Sequence, residues 1–131
     1  MSAHPLFMVV VFDGLRADMV TPDTMPNLYR FIGEGVHFPN ARSVYPTSTR
    51  TNAAALATGS TPGRNGIVQN KYFDPNVFRD AIFHPGSLTD IEAGVAAYDG
   101  NLLTTPSLGD IAAQAGYSMA SISVVVLERR G

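Results

Sequence analysis

The sequence contains no cysteine, and charged residues make up only 15% of it. The absence of cysteine excludes disulfides and thiolate metal sites, so Asp, Glu, His or backbone oxygen must hold any metal. Acidic residues slightly outnumber basic ones, giving a formal net charge of -2. This balance argues against a nucleic-acid or membrane surface that works through bulk positive charge.

Long hydrophobic runs are also missing. The apolar run Leu6–Phe12 is too short to span a bilayer, and it lacks the basic region and small-residue cleavage site of a signal peptide. As written, the chain is predicted to be cytoplasmic. If a leader precedes Met1, the protein is instead expected to be periplasmic or secreted.

The order of apolar segments predicts an α/β fold. Leu6–Phe12 is apolar throughout and rich in β-branched and aromatic residues, as in a strand buried on both faces of a parallel sheet. Helices are predicted over Met25–Ile32, Ala53–Thr58 and Thr104–Gly116, and a further strand over Met119–Leu127. Such alternation is typical of a mostly parallel sheet flanked by helices.

Asp13 directly follows the first predicted strand. Ligands bind at the C-terminal strand ends of open α/β sheets, and carboxylate oxygens suit divalent metals. Asp13 is therefore a candidate metal ligand. The alternative is an Asp-Gly turn in which the carboxylate caps a helix.

A cluster of hydroxyls precedes the small-residue helix, namely Thr47, Ser48, Thr49 and Thr51. Such a hydroxyl either caps the helix or acts as a nucleophile beside a phosphate held at the helix N-terminus. A threonine hydroxyl needs a base or a metal to become nucleophilic. No histidine is near in sequence, which favours metal activation.

Two further residue types were weighed as site residues. The Asn70 side chain could donate to a phosphate oxygen, or Asn70 could simply be a turn residue. The histidines, His4, His37 and His84, form no HxH or i,i+4 pair with one another. None of the three is therefore predicted to bind a metal.

An ordered series of short motifs resembles the N-terminal part of the type I phosphodiesterase / nucleotide pyrophosphatase family, a branch of the alkaline phosphatase superfamily. The resemblance covers roughly residues 7–75, with a weaker match over 102–123. The motifs are Val11–Asp18, Met25–Leu28, Gly35–Asn40, Tyr45–Thr49, Ala57–Gly59 and Gly66–Asp74.

This resemblance implies a fold, a cofactor and a mechanism. The fold is an alkaline-phosphatase-like parallel sheet carrying two zinc ions, and a threonine forms a phospho-enzyme intermediate. By position, Asp13 resembles a ligand of one zinc, Thr49 the nucleophile that also touches this metal, and Asn70 the residue that steadies the non-bridging phosphate oxygens. The implied partner is a small phosphorylated or phosphonate substrate, with no nucleic-acid surface and no membrane.

Arg50 departs from the family pattern, because an aromatic residue that stacks on a base is expected after the nucleophile. An arginine could instead contact a compact anionic phosphate or phosphonate group, or be a solvated helix residue. Phosphonoacetate-hydrolase-like and general phosphatase activities are therefore alternatives to nucleotide pyrophosphatase activity.

The resemblance places the remaining zinc ligands downstream of the matched region. We therefore expect residues 1–131 to be the N-terminal part of an alkaline-phosphatase-like catalytic domain. It would comprise a motif-bearing region 7–75, a loop excursion 76–101 with little regular structure, and a helix–strand segment 102–127. Such an incomplete fragment is expected to be inactive or nearly so. The rival interpretation is a non-catalytic α/β module that binds phosphate.

Overall fold

The computed structural model describes residues 6–120 and divides into two compact units, Met1–Arg42 and Ser43–Gly131. The first unit contains a short 3-10 helix and one α-helix, and the second contains four α-helices. The elements are the 3-10 helix Ala17–Met19, α1 (Pro26–Glu34), α2 (Thr49–Thr58), α3 (Pro62–Asn65), α4 (Leu88–Ala97) and α5 (Leu108–Gln114).

The predicted parallel sheet is not confirmed, since residues 6–120 contain no β-strand. The residues of Leu6–Phe12 are typical of a buried strand, but their side chains are exposed. The exposed fraction is 85% at Leu6 and 53% at Phe12. A strand needs hydrogen-bonding neighbours, and a strand of this composition needs them on both sides. Residues 6–120 supply no neighbouring strand, and an apolar run does not form a strand without one. The further strand predicted over Met119–Leu127 lies mostly outside the described residues.

In the first unit, the structure confirms the predicted helix and shows why it starts where it does. Pro26 occupies the first position of α1, where its missing N–H costs no hydrogen bond. Leu28 and Ile32 lie on one face and are half-buried, as expected for an amphipathic helix. The backbone N–H of Gly35 donates to the Ile32 carbonyl at the end of the helix.

Helix α2 starts at Thr49, four positions before the predicted start at Ala53. Its buried side chains, Thr51 and Ala54, are small and therefore allow a close approach to neighbouring segments. Gly59 ends the helix in the left-handed conformation (φ 62°), where a residue without Cβ is favoured.

The excursion 76–101 was wrongly predicted to have little regular structure, because it contains α4. The side chain of Ser87 caps this helix by accepting from the Asp90 backbone N–H. A serine followed three residues later by an acidic residue is a sequence signal for a helix start. The Ser-Leu-Thr-Asp segment carries this signal, which could have identified α4.

Helix α5 lies within the predicted Thr104–Gly116, but its cap differs. Ser107 is the N-cap and forms a reciprocal capping box with Asp110. Hydrogen bonds from Ser107 hold the pKa of the Asp110 carboxyl below its usual value. Thr105, a residue type that often caps helices, lies two residues before this cap and has a buried hydroxyl with no hydrogen-bond partner among the described residues.

An isolated antiparallel bridge pairs Tyr72 with Phe83. The Tyr72 N–H donates to the Phe83 carbonyl (3.1 Å), and the Phe83 N–H donates to the Tyr72 carbonyl (2.8 Å). Phe83 is 0% exposed and packs edge-on against the Tyr72 ring, with centroids 5.3 Å apart. Its ring also lies against α4, where a Cβ at Gly94 would come within 3.2 Å of Phe83 Cε2 and Cζ.

The bridge leads to a prediction about alkaline pH. Burial, followed by the charges of Asp74 and Tyr98, raises the pKa of Tyr72 from 10.0 to about 12. A folded-state pKa above the unfolded value means that the stabilisation is complete below pH 10.0 and is lost as pH rises to about 12. We expect the free energy of unfolding to fall across this interval, with a smaller decline in Tyr72→Phe. Urea unfolding at several pH values would measure it, and equal slopes for both proteins would contradict the assignment.

Candidate active site at the start of helix α2

The structure separates the clustered hydroxyls into different roles. Thr51 is 0% exposed, and its Oγ1 accepts a hydrogen bond from the Ser48 hydroxyl at 2.7 Å. Ser48 occupies the N-cap position, but its side chain accepts no bond from the helix backbone. Thr49 is the first residue of α2 and is exposed, as is Thr47. Of these hydroxyls, only that of Thr49 lies in the first turn of the helix and is exposed.

Asn70 lies at the same helix start, although twenty residues separate it from Arg50 in sequence. Its Oδ1 accepts from the backbone N–H of Arg50 at 2.9 Å. Because a backbone N–H can only donate, this contact assigns Oδ1 and leaves the Nδ2 amide as the other end of the side chain. Within residues 6–120, Nδ2 donates to no protein group. The amide is therefore fixed beside Thr49 with two donors available.

Arg50 is half-buried and hydrogen-bonded, which differs from a solvated helix residue. Its Nη1 donates to the Asn70 carbonyl at 3.1 Å and lies 3.1 Å from His84 Nε2. The guanidinium also packs against Gly86 so closely that a Cβ there would overlap it. Thr49, Arg50 and Asn70 thus lie together at the start of α2, and their roles in a common site stay a prediction.

His84 is a neighbour of Arg50 that the sequence did not indicate. Its backbone N–H donates to Asp90 Oδ2 at 2.9 Å, which anchors it to the start of α4. It also follows Asp80 by four residues, and aspartate and histidine are both types of metal ligand. However, its Nε2 meets a guanidinium, and a cation at this distance disfavours a metal at the same nitrogen.

Asp13 lies in the other compact unit. It is exposed and sits in a turn in which the Leu15 N–H donates to the Phe12 carbonyl at 3.3 Å. Among residues 6–120, no three or more His, Cys, Asp or Glu side chains are grouped so that they could hold a metal ion. The described residues therefore do not assemble a zinc site, and Asp13 and Thr49 stay predicted ligands.

Comparison with known proteins identifies the family. The model for type I phosphodiesterase / nucleotide pyrophosphatase matches residues 7–127. The chain belongs to this family. The match confirms the resemblance carried by the motifs between residues 7 and 75, extends beyond them, and links the chain to a family of hydrolases with an alkaline-phosphatase-like fold.

Several curated proteins are similar to part of this chain. The bis(5'-adenosyl)-triphosphatase enpp4 of Xenopus laevis is 37% identical over 83 residues, covering 63% of this chain and 18% of the relative. The ENPP4 of Homo sapiens is 37% identical over 73 residues, covering 56% and 16%. Venom phosphodiesterase 2 of Crotalus adamanteus is 37% identical over 67 residues, covering 50% and 8%. No solved structure matches the chain significantly.

The chain thus spans less than a fifth of the length of these relatives. None of the helices between residues 6 and 120 is long and apolar enough to cross a membrane.

Proposed function

We propose that the protein is a metal-dependent hydrolase of phosphate diesters or monoesters that acts through Thr49. The observation that carries this proposal is the convergence of Thr49, Arg50 and Asn70 at the start of α2. An exposed threonine, a fixed amide donor and a guanidinium are complementary to a phosphoryl group. Helix N-terminal N–H groups add to this complementarity for an anion.

The proposed reaction proceeds in two displacements. Thr49 Oγ1 loses its proton and attacks phosphorus, and the leaving alcohol departs with a proton from solvent, so that phosphorus becomes bonded to Thr49. Water then attacks phosphorus, gives a proton back to Thr49 Oγ1, and releases a phosphate monoester from a diester or inorganic phosphate from a monoester. Asn70 Nδ2 donates to a non-bridging oxygen as negative charge develops there. Two zinc ions are the proposed cofactor, with Asp13 and Thr49 among their ligands. Zinc held by these residues would lower the pKa of a bound hydroxyl and offset negative charge in the transition state.

The relatives and Arg50 favour different substrates. Relatives named as a bis(5'-adenosyl)-triphosphatase and as venom phosphodiesterases favour a nucleotide-type diester or anhydride. Arg50 favours a compact anionic group, as in a phosphonoacetate-hydrolase-like enzyme or a general phosphatase. We propose the diester activity as the main reaction, with monoester or phosphonate hydrolysis as the alternative.

Metal dependence is tested by chelation of the full gene product. Bis-p-nitrophenyl phosphate and p-nitrophenyl phosphate serve as diester and monoester. We expect a chelator to lower turnover by about 100-fold or more, because metal stabilisation of the transition state amounts to several kcal/mol. Added zinc should restore the rate and added magnesium should not. Unchanged turnover after exhaustive chelation would contradict the proposed metal dependence.

A phosphate-binding module is the second candidate, because the Arg50 and Asn70 donors are assembled by this chain itself. For the 131-residue chain we propose phosphate binding with poor turnover, since one carboxylate and one hydroxyl hold two zinc ions weakly. Calorimetric titrations with zinc and with inorganic phosphate distinguish the candidates. Phosphate affinity in a full gene product that neither binds zinc nor hydrolyses either ester would favour the module.

A further inference from the structure

We propose that Asn65 and Gly66 form a self-modification site, at which the Asn65 side chain is deamidated to aspartate or isoaspartate whenever the chain opens locally. The fold suppresses this reaction, and its products do not fit the folded site. The inference is independent of the proposed function. It concerns the end of α3, a segment to which that function assigns no chemical role.

The sequence places a reactive pair at this point. Asn65 is the only asparagine of the chain that is followed by glycine. Glycine has no Cβ to shield its backbone nitrogen, so this nitrogen can approach the side-chain carbonyl carbon of the preceding residue. In the reaction, the Gly66 nitrogen loses its proton and bonds to Asn65 Cγ. The Cγ–Nδ2 bond then breaks, and the amide leaves as ammonia with a proton from solvent.

Water completes the modification of the cyclic imide that results. It adds to either carbonyl carbon of the ring and breaks the bond from that carbon to the Gly66 nitrogen, which recovers a proton. Breaking the bond to Cγ leaves aspartate at position 65, whereas breaking the bond to the main-chain carbon leaves isoaspartate. Water is the only co-reactant, and no group is oxidised or reduced.

The fold requires both residues of this pair. Gly66 follows α3 with a φ of 90°, in the left-handed region where a residue without Cβ is favoured. Asn65 is 0% exposed, and its Oδ1 accepts from the Ile67 backbone N–H at 3.0 Å. Its Nδ2 donates to the Ser60 carbonyl, also at 3.0 Å. An apolar residue at position 65 would leave both backbone groups without these bonds, and an aspartate could not donate to Ser60.

The same contacts suppress the reaction in the folded chain. The Gly66 N–H, which must lose its proton, donates to the Pro62 carbonyl at 3.0 Å. The amide that must be attacked is held by its bonds to Ile67 and Ser60 and is buried away from the water that carries the protons. The rate for the folded protein is therefore the rate in the opened state multiplied by the population of that state.

Neither product can rebuild the native contacts. A carboxylate at position 65 would bury a negative charge and place an oxygen against the Ser60 carbonyl, which can only accept. Isoaspartate runs the main chain through Cβ and Cγ and thereby displaces Gly66, whose carbonyl accepts from the Tyr72 hydroxyl at 3.1 Å. Tyr72 belongs to the bridge beside the candidate site, so this displacement extends to that site. Each conversion removes a chain from the folded population, and refolding does not reverse it.

The test follows Asn65 in the 131-residue chain at mildly alkaline pH, in buffer and in urea. The protein is digested in heavy-oxygen water, so that conversion during handling carries the label, and the peptide that contains Asn65 is analysed by mass spectrometry. We expect conversion in buffer to be slower than in urea by about 100-fold or more, as for a group that reacts only in an opened state. Equal rates in buffer and in urea would overturn the suppression by the fold.

Asn76 is the control within the same sample, because it is exposed and is followed by Val77 instead of glycine. In urea, where both residues are equally accessible, we expect Asn65 to be converted faster than Asn76. Equal rates at the two positions in urea would overturn the assignment of Asn65 and Gly66 as a reactive pair.

Ile67→Ala tests the dependence on opening, because Ile67 is 5% exposed and its N–H holds Asn65 Oδ1. Removing this buried side chain raises the population of the opened state. We expect it to speed the conversion of Asn65 in buffer about tenfold or more and to leave the rate in urea unchanged. Val68→Ala, at a position that is 39% exposed, should stay within about twofold of the parent rate. No acceleration in Ile67→Ala would overturn the proposal.

Asn65→Asp reproduces the aspartate product directly, and Asn101→Asp makes the same change at an exposed position. In urea unfolding followed by circular dichroism, we expect Asn65→Asp to lower the ratio of folded to unfolded chain about tenfold or more. Asn101→Asp should change this ratio by less than about twofold. An Asn65→Asp chain as stable as the parent would overturn the irreversible loss of folded protein.

Discussion

Thr49→Ala is expected to reduce turnover of both p-nitrophenyl esters by the full gene product by about 10⁴-fold or more, comparable to losses on removing a covalent nucleophile in serine hydrolases. The physical reason is that the proposed phosphothreonine forms on Thr49 Oγ1, and alanine has no atom to carry the phosphoryl group. Thr49 is exposed at the start of α2, so its removal leaves no buried cavity. Quenching a reaction with labelled substrate should trap phosphate on the parent protein and none on the variant.

Two neighbouring changes serve as controls for this prediction. Thr47→Ala removes an exposed hydroxyl from the same segment and should leave turnover within about twofold, as surface changes usually do. Thr49→Ser keeps an attacking oxygen and should retain measurable phospho-enzyme. If Thr49→Ala keeps full turnover with unaltered trapping, the nucleophile lies elsewhere and the proposed mechanism is wrong.

Phe83→Ala is expected to lower the free energy of unfolding by about 3–5 kcal/mol, the usual cost of removing a fully buried phenylalanine. Typical domains have a total of about 5–15 kcal/mol, so the variant should be largely or wholly unfolded at elevated temperature. The ring is 0% exposed and is packed between Tyr72 and the face of α4 at Gly94. Chemical denaturation followed by far-ultraviolet circular dichroism measures the change.

Phe73→Ala is the matched control, because it removes the same type of side chain from a position that is 55% exposed. We expect a change within about 0.5 kcal/mol for this variant. Similar losses for both variants would mean that Phe83 contributes no more than a surface ring. A parent chain without a cooperative transition would contradict the existence of this core.

The helices could be predicted largely from local signals, because these lie within a few residues of each helix end. The helix predicted from Met25 begins at Pro26 in the structure, and the helix predicted to end at Thr58 does end there, before Gly59. Helix α4 was missed although Ser87 and Asp90 supply its start signal. The sheet could not be obtained in this way. A run such as Leu6–Phe12 forms a strand only when other strands pair with it. Its own residues indicate only a preference for β-structure.

The residues proposed for the site could be chosen from the sequence, whereas the contacts between them could not. Hydroxyl, arginine and asparagine could be selected by residue type and motif order, and the structure places them together at the start of α2. The contacts of His84 and Gly86 with the Arg50 guanidinium depend on a bridge between residues that are distant in sequence. No local pattern records such a long-range contact, and a lone histidine before Pro-Gly is typical of a loop.

The isolated bridge also makes the site a unit of local unfolding. The arms that carry Asn70 and His84 are joined by the reciprocal Tyr72 and Phe83 hydrogen bonds and by the edge-on contact of the two rings. Opening this pair would release both contacts to Arg50 at once. An anion that binds Arg50 only while the Tyr72–Phe83 bridge is closed would stabilise the closed bridge relative to the open one. Under the proposed function, we therefore expect an anion bound at Arg50 to slow the exchange of the Tyr72 and Phe83 amide protons with solvent.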